Sequence, residues 1–260
     1  MELGLGGRRA VVTGGSKGIG LAVATEFARE GAHVAICARN PEEVAAAGNQ
    51  LRELGVTVHD EAVDVTVPDQ VSGFMAAAAQ ALGGIDILVN NAGAAHPGTF
   101  STLTDEDWHG DLDVKLFSQI RCTREALPHL RQSSAARVIN INAVYAKYPD
   151  HRFFATTVNR AACLNLTKAL ALEFGPENIL VNSVNIGFVV TPQWENIRNL
   201  RAPELSQEEF FRTWAAEEVP LGRFGEASEV SGMVTFLASD RASYITGGSI
   251  DVAGGMGRYV

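Results

Sequence analysis

Short runs of consecutive apolar, often β-branched residues alternate along this chain with longer stretches whose apolar positions recur at helical spacing. Arg9-Ala10-Val11-Val12 predicts a first strand running into Thr13-Gly14-Gly15, and a helix follows from about Ile19 to Glu30, stopped by Gly31. A strand near His33 to Ala38, a helix near Pro41 to Leu54 and a strand near Val56 to Val63 come next. A helix ending at Gly83-Gly84 leads into Ile85 to Asn90, a nearly continuous apolar strand. In the second half a long helix is expected over Asp105 to Leu130, a strand at Arg137 to Asn142, a helix from about Phe153 to Phe174 and a strand at Ile179 to Asn185. An irregular segment, a helix near Ser228 to Ser239 and a last strand, Ser249 to Val252, complete the pattern. Strands apolar on both faces and separated by helices predict a parallel sheet covered on both sides. No Ser/Pro-rich linker, repeat or low-complexity tract divides the 260 residues. The expected class is therefore α/β, a single doubly wound Rossmann-type domain over 1–260 with a parallel sheet of about seven strands.

Composition narrows the partners. A formal net charge of -9 opposes binding to a phosphate backbone, so no nucleic acid is expected. No run of eighteen apolar residues occurs, and no long apolar stretch precedes the first strand, so neither a membrane span nor a signal peptide is expected. Cys37, Cys122 and Cys163 are scattered, without CxxC spacing. That pattern argues against a disulfide framework or a metal site and fits a cytoplasmic protein.

The candidate chemistry begins at the first strand-to-helix turn. Gly14, Ser16, Lys17, Gly18, Ile19 and Gly20 form a glycine-rich loop there, which lets the backbone approach a pyrophosphate while the helix N-terminus favours its charge. Asp64-Val65 follows the third strand and Asn90-Asn91-Ala92-Gly93 the fourth. Val181-Asn182-Ser183-Val184-Asn185-Ile186-Gly187 precedes Thr191, and Pro220 to Gly225 and Gly247 to Gly255 follow. On these motifs the sequence resembles the short-chain dehydrogenase/reductase family nearly end to end, with Ile186 where the family has proline. The resemblance implies that Asp64, with Val65 beside it, serves the adenine. It sets Asn91, Ala92 and Gly93 along the cofactor, and Gly187, Val189 and Thr191 near the nicotinamide. It also implies a homo-oligomer, tetramer or dimer, built through the last helix, last strand and tail.

The second strand ends in Cys37-Ala38-Arg39-Asn40, with no acid to bind a ribose 2′-hydroxyl. Arg39 and Lys17 could instead grip a 2′-phosphate, which favours NADP(H) over NAD(H); the plainer reading is two solvated cations.

The family's catalytic Asn, Ser, Tyr and Lys fall, by the surrounding sequence, on Lys115, Ala143, Thr156 and Arg160. An aliphatic hydroxyl is a weaker acid than a phenol by roughly five to six pKa units, about 7–8 kcal/mol. Thr156 therefore cannot replace a tyrosine, and Arg160 can hold a ribose hydroxyl but cannot exchange protons at neutral pH. Lys115 is the first alternative acid, with a pKa that a neighbouring Arg160 would depress; the alternative is that it pairs with Asp111 or Asp113. Tyr145, Tyr148 or His151 could reach substrate from the loop after the fifth strand, or could be surface and packing residues. Asn142 could bind a substrate carbonyl or cap the strand end.

A variable substrate-covering segment is expected at about 191–218. Its Trp194, Phe210, Phe211 and Trp214, among Arg198, Arg201 and Arg212, could roof an apolar substrate or simply pack. The expected function is an NADP(H)-dependent oxidoreductase with a rearranged proton donor, acting on a carbonyl, imine or activated alkene of a small apolar or aromatic substrate. The alternatives are a non-redox lyase, isomerase or cyclase on the same scaffold, and a catalytically silent nucleotide-binding partner or sensor.

Overall fold

The computed structural model describes residues 2–257; Met1 and 258–260 of the expected domain lie outside them. Its centre is a seven-stranded parallel sheet in the order β3 (Val58–Ala62), β2 (His33–Ala38), β1 (Arg9–Thr13), β4 (Ile87–Asn90), β5 (Arg137–Ala143), β6 (Leu180–Ile186) and β7 (Ser249–Val252). Successive strand side chains point to opposite faces, so each apolar run feeds two layers. Ala10, Val12, Ile87, Val89 and Ile139 pack under α1 (Gly18–Arg29), α2 (Pro41–Arg52) and α9 (Ala227–Ala238). Val11, Leu88, Val138 and Val181 pack under α3 (Pro68–Leu82), α5 (Ser118–Leu130) and α6 (Phe154–Phe174). The edge strand β3 carries His59, Asp60 and Glu61 and is partly exposed, as an edge that must not recruit another strand should be.

Two segments differ from the expectation. The single helix expected over 105–130 is α4 (Asp105–Leu112) and α5, joined by a π-helical turn at Asp113–Phe117. The π turn leaves carbonyls outside the regular ladder; Ser118 Oγ donates to Val114 O at 2.7 Å and Cys163 Sγ to Lys115 O at 3.5 Å. The segment expected to be irregular holds α7 (Pro192–Arg201) and α8 (Gln207–Glu218). Pro192 opens α7, and Ser206 with Glu209 forms a reciprocal capping box on α8.

Strand order reverses between β1 and β4, and side-chain hydrogen bonds lace the loops leaving those two strands. Thr13 Oγ1 accepts the N–H of Asn91 and of Ala92, each at 3.0 Å. Asn91 Nδ2 donates to Thr13 O and Gly14 O, also at 3.0 Å. Gly14 has a φ of 66°, a left-handed conformation that glycine adopts without strain. A Cβ on Gly20 would stand 2.1 Å from Gly14 O, so Gly20 lets α1 close on the loop. Gly20→Ala is expected to cost about 1–3 kcal/mol of overpacking, lowering the thermal midpoint by roughly 2–10 °C in a melting curve.

Candidate active site

The C-terminal ends of the strands open into a cleft of about 740 Å³ that begins at the β1–β4 reversal. In open α/β sheets this is where ligands bind. Every residue expected to hold a dinucleotide lines it except Gly20: Gly14, Ser16, Lys17, Gly18 and Ile19 from the first loop, Arg39 after β2, Asp64 and Val65 after β3, and Asn91, Ala92 and Gly93 after β4. Arg160 from α6 and Gly187, Val189 and Thr191 after β6 complete the set. Gly20 is a packing residue, because its missing side chain faces the Gly14 carbonyl under the loop.

The polar details differ from a row of free ligands. Lys17 Nζ is paired with Glu43 Oε1 at 2.8 Å, whereas Arg39 is exposed and makes no hydrogen bond or ion pair with a described residue. Asp64 Oδ1 accepts the Thr66 N–H at 2.9 Å and its hydroxyl at 2.7 Å. Burial works against the Asp64 carboxylate, but those two bonds and the nearby Arg39 hold it below the ordinary range. Glu43 has no counterpart in the sequence reading. It sits in the first turn of α2, a position that reads as a capping charge until the turn is seen to face the cleft.

The far end of the cleft has a polar floor under apolar walls. Lys115, carried inward by the π turn, is fully buried and still lines the cleft. Its Nζ donates to Asp111 Oδ1 and, at 2.9 Å, to Thr156 Oγ1. Asp111 is itself buried; its Oδ2 accepts Asn159 Nδ2 at 2.8 Å. Thr156 Oγ1 also accepts the His96 N–H at 3.3 Å, and Asp111 Oδ1 lies 3.5 Å from it. Arg160 donates Nη1 to Ile141 O at 2.8 Å, while its buried Nε has no partner among the described residues. Burial first, and the Arg160 cation second, push the Lys115 ammonium down to about 8 from 10.5, against the opposing pull of Asp111.

Lys115 pairs with Asp111, as the structural reading of it expects, and it also lines the cleft. Asn142 lines the cleft too, but its amide is spent on the scaffold, with Nδ2 donating to Arg160 O at 3.1 Å and Oδ1 accepting the Ala143 N–H at 3.0 Å. Tyr148 and His151 are not brought to the cleft. Tyr148 turns toward a separate hollow beside α8, and the His151 side chain is 84% exposed next to Asp150. The loop carries them outward because Asp150 is pinned inward, by Arg152 at 2.6 Å and by Thr157 Oγ1 on its backbone. Tyr145 lines the cleft, yet its hydroxyl is buried without a well-aligned hydrogen bond. Burial first and nearby Asp150 second raise its pKa beyond the ordinary phenol value.

The walls are Val144, Phe153, Phe188, Trp194 and Met256. Of the aromatics expected over the substrate, only Trp194 reaches the cleft. Phe210 is fully buried between Trp194 and Trp214, and Phe211 stacks on Phe224 with centroids 4.4 Å apart, so α8 supports the wall from behind. Arg198, Arg201 and Arg212 do not line the cleft. Arg198 instead caps the α7–α8 connection through Leu205 O at 2.8 Å.

A family model described as enoyl-(acyl carrier protein) reductase matches residues 14–257. The chain belongs to the short-chain dehydrogenase/reductase family. Among the relatives, a ketoacyl reductase assigned to the granaticin polyketide synthase of Streptomyces violaceoruber is 37% identical, over 96% of this chain and 93% of its own length. A short-chain oxidoreductase of Pseudomonas aeruginosa PAO1, described as containing an atypical catalytic center and solved bound to NADPH, is 38% identical. The two structures match with a TM-score of 0.90 over 96% of this chain and 97% of that one. L-sorbose reductase from Gluconobacter frateurii, complexed with NADPH and L-sorbose, is 33% identical with a TM-score of 0.96 over the whole of both chains. Among the described residues no group of three or more His, Cys, Asp or Glu side chains could hold a metal ion, and no helix is long and apolar enough to cross a membrane.

Removing one member of a buried ion pair leaves an uncompensated charge, a loss of about 3–5 kcal/mol. Asp111→Leu is expected to cost that much in urea unfolding. The double variant Asp111→Leu/Lys115→Met should recover part of it, since Lys115 is no longer left unpaired while Arg160 still loses the nearby carboxylate.

Proposed function

We propose that this member of the family is an NADP(H)-dependent reductase in which Lys115 replaces tyrosine as the proton donor. The cleft residues fit the dinucleotide: glycines where backbone must approach a pyrophosphate, a helix N-terminus behind them, and an unpaired Arg39 suited to a 2′-phosphate. NADPH-bound structures of the Pseudomonas and Gluconobacter relatives support the same choice. Arg160, whose Nη2 lies beside Gly93 and whose buried Nε has no partner among the described residues, would hold the nicotinamide ribose.

When bound, the cofactor supplies a hydride to the electrophilic carbon of a carbonyl, imine or activated alkene. The protein supplies the rest. In this reading the family's Asn, Ser, Tyr and Lys positions hold Lys115, Ala143, Thr156 and Arg160, so no phenol stands over the ribose. The observation that carries the proposal is the buried Lys115 Nζ, bonded to Thr156 Oγ1 at 2.9 Å where both line the cleft. Thr156 Oγ1 accepts from Lys115 and from the His96 N–H, and its own hydrogen is held only by a long 3.5 Å bond to Asp111 Oδ1, which a substrate oxygen can replace. A proton given up by Thr156 is replaced at once from Lys115; the threonine passes on an acidity it does not itself possess. Asp111 and Asn159 hold Lys115 on this line. The walls select an apolar or aromatic substrate, and nothing charged lies among Val144, Phe153, Phe188, Trp194 and Met256. The segment 191–218 covers that end of the cleft through Trp194. Exposed apolar side chains such as Phe117, Leu221 and Tyr244 support a homo-oligomer.

An acid must be protonated to act, so reduction with NADPH should fall as pH rises through about 8, roughly tenfold per further pH unit. Lys115→Met is expected to lose more than about 100-fold in kcat for reduction while binding NADPH with unchanged affinity in a fluorescence titration. Undiminished turnover in that variant overturns the assignment. A protein that binds NADPH yet oxidises it with no ketone, imine or enone from a broad panel is the silent sensor instead.

A further inference from the structure

One carboxylate in the cleft has no part in the reading above. Glu43 lines the same end as Lys17, Arg39 and Asn40. Asn40 Oδ1 accepts the N–H of Glu42 at 2.9 Å and of Glu43 at 3.2 Å, which fixes the first turn of α2 and with it the direction in which Glu43 leaves the backbone. From there Glu43 Oε1 accepts Lys17 Nζ at 2.8 Å. The two cations of this end are therefore unequal: Arg39 makes no hydrogen bond or ion pair with a described residue and only attracts Asp64 through space, whereas Lys17 is already engaged.

A phosphate group arriving here meets one open cation and one that must change partners. The Lys17 and Glu43 side chains are 55% and 39% exposed, so their pair is of the weak, water-exchangeable kind. A phosphate of two negative charges outbids a single carboxylate for the ammonium group. Glu43 is then left beside that phosphate as an unpaired like charge, which lowers the net gain. A dinucleotide with a plain 2′-hydroxyl makes no such demand and leaves the pair intact.

We infer that Glu43 is a specificity-determining residue of the cleft: it holds Lys17 until a 2′-phosphate displaces it, and it thereby moderates the preference for the phosphorylated dinucleotide. Binding of that dinucleotide is a partner exchange, in which Lys17 leaves Glu43 for the phosphate while Arg39 takes the phosphate directly. The inference rests on the proposed use of this cleft for NADP(H), and it concerns only the adenosine end, far from the reacting atoms.

The test measures dissociation constants at low ionic strength for NADPH, NADH, adenosine 2′,5′-bisphosphate and AMP. It compares the unaltered protein with Glu43→Gln, Lys17→Met and the double variant. Glu43→Gln is expected to tighten NADPH and the bisphosphate by about three- to tenfold and to leave NADH and AMP within about twofold. In the Lys17→Met background the same substitution should change NADPH binding by less than about twofold, because the contested cation is gone. An unchanged NADPH-to-NADH ratio in Glu43→Gln overturns the role of Glu43, even where the unaltered protein prefers NADPH. A gain that persists undiminished without Lys17 overturns the exchange. Failure of the unaltered protein to bind any of the four nucleotides overturns the reading of the cleft itself.

Discussion

The interaction on which the active-site end depends is the buried ion pair of Asp111 and Lys115. Taking a carboxylate and an ammonium out of water costs several kcal/mol each, a debt that a single contact does not cover. The surroundings supply the balance. Asn159 fills the second oxygen of Asp111, Thr156 takes a second proton of Lys115, and the His96 backbone completes the threonine. Arg160, a second cation close by, prevents the group from being neutral overall. The result is a lysine that is neither comfortably charged nor free to leave, which is the condition that makes a buried amine useful as an acid.

The fold was legible because its signals are long and redundant. Val11 and Val12, or Leu88 and Val89, cannot lie in a sheet without serving both faces, and that alone demands helices above and below. The lining of the cleft was legible for a related reason: Gly14, Asn91 and Gly187 stand at backbone turns whose geometry the local sequence dictates. Gly20 was assigned to the cleft because a glycine's spacing does not distinguish a surface that meets ligand from one that meets a carbonyl across a helix.

Residues further along were harder to read, since their roles are set by elements distant in sequence. Lys115 and Thr156, 41 residues apart in the chain, meet only because the π turn after α4 packs against α6. The outward course of Tyr148 and His151 follows from the grip of Arg152 and Thr157 on Asp150, which no periodicity reveals. Glu43 was hidden by its own respectability, a glutamate in the first turn of a helix where a glutamate is expected. The aromatic cluster around Phe210 shows the opposite case. Its helical spacing was visible, but whether that stripe faced a ligand or a neighbouring helix depended on α7, a helix whose only strong signal is Pro192.

The π turn at Asp113–Phe117 has a consequence for how such a site can arise. It widens one helical turn, so the residues before and after it are out of phase by most of a regular residue step, about 100°. Lys115 occupies the bulge, where a side chain of any chemistry is delivered to the same point at the cleft floor. Deleting one residue there would restore a regular helix and swing that address away from the cleft. Exchanging the residue changes what is delivered and leaves Asp111 in need of another partner. The backbone irregularity thus separates where a side chain is placed from what that side chain is, provided the partner at Asp111 changes with it.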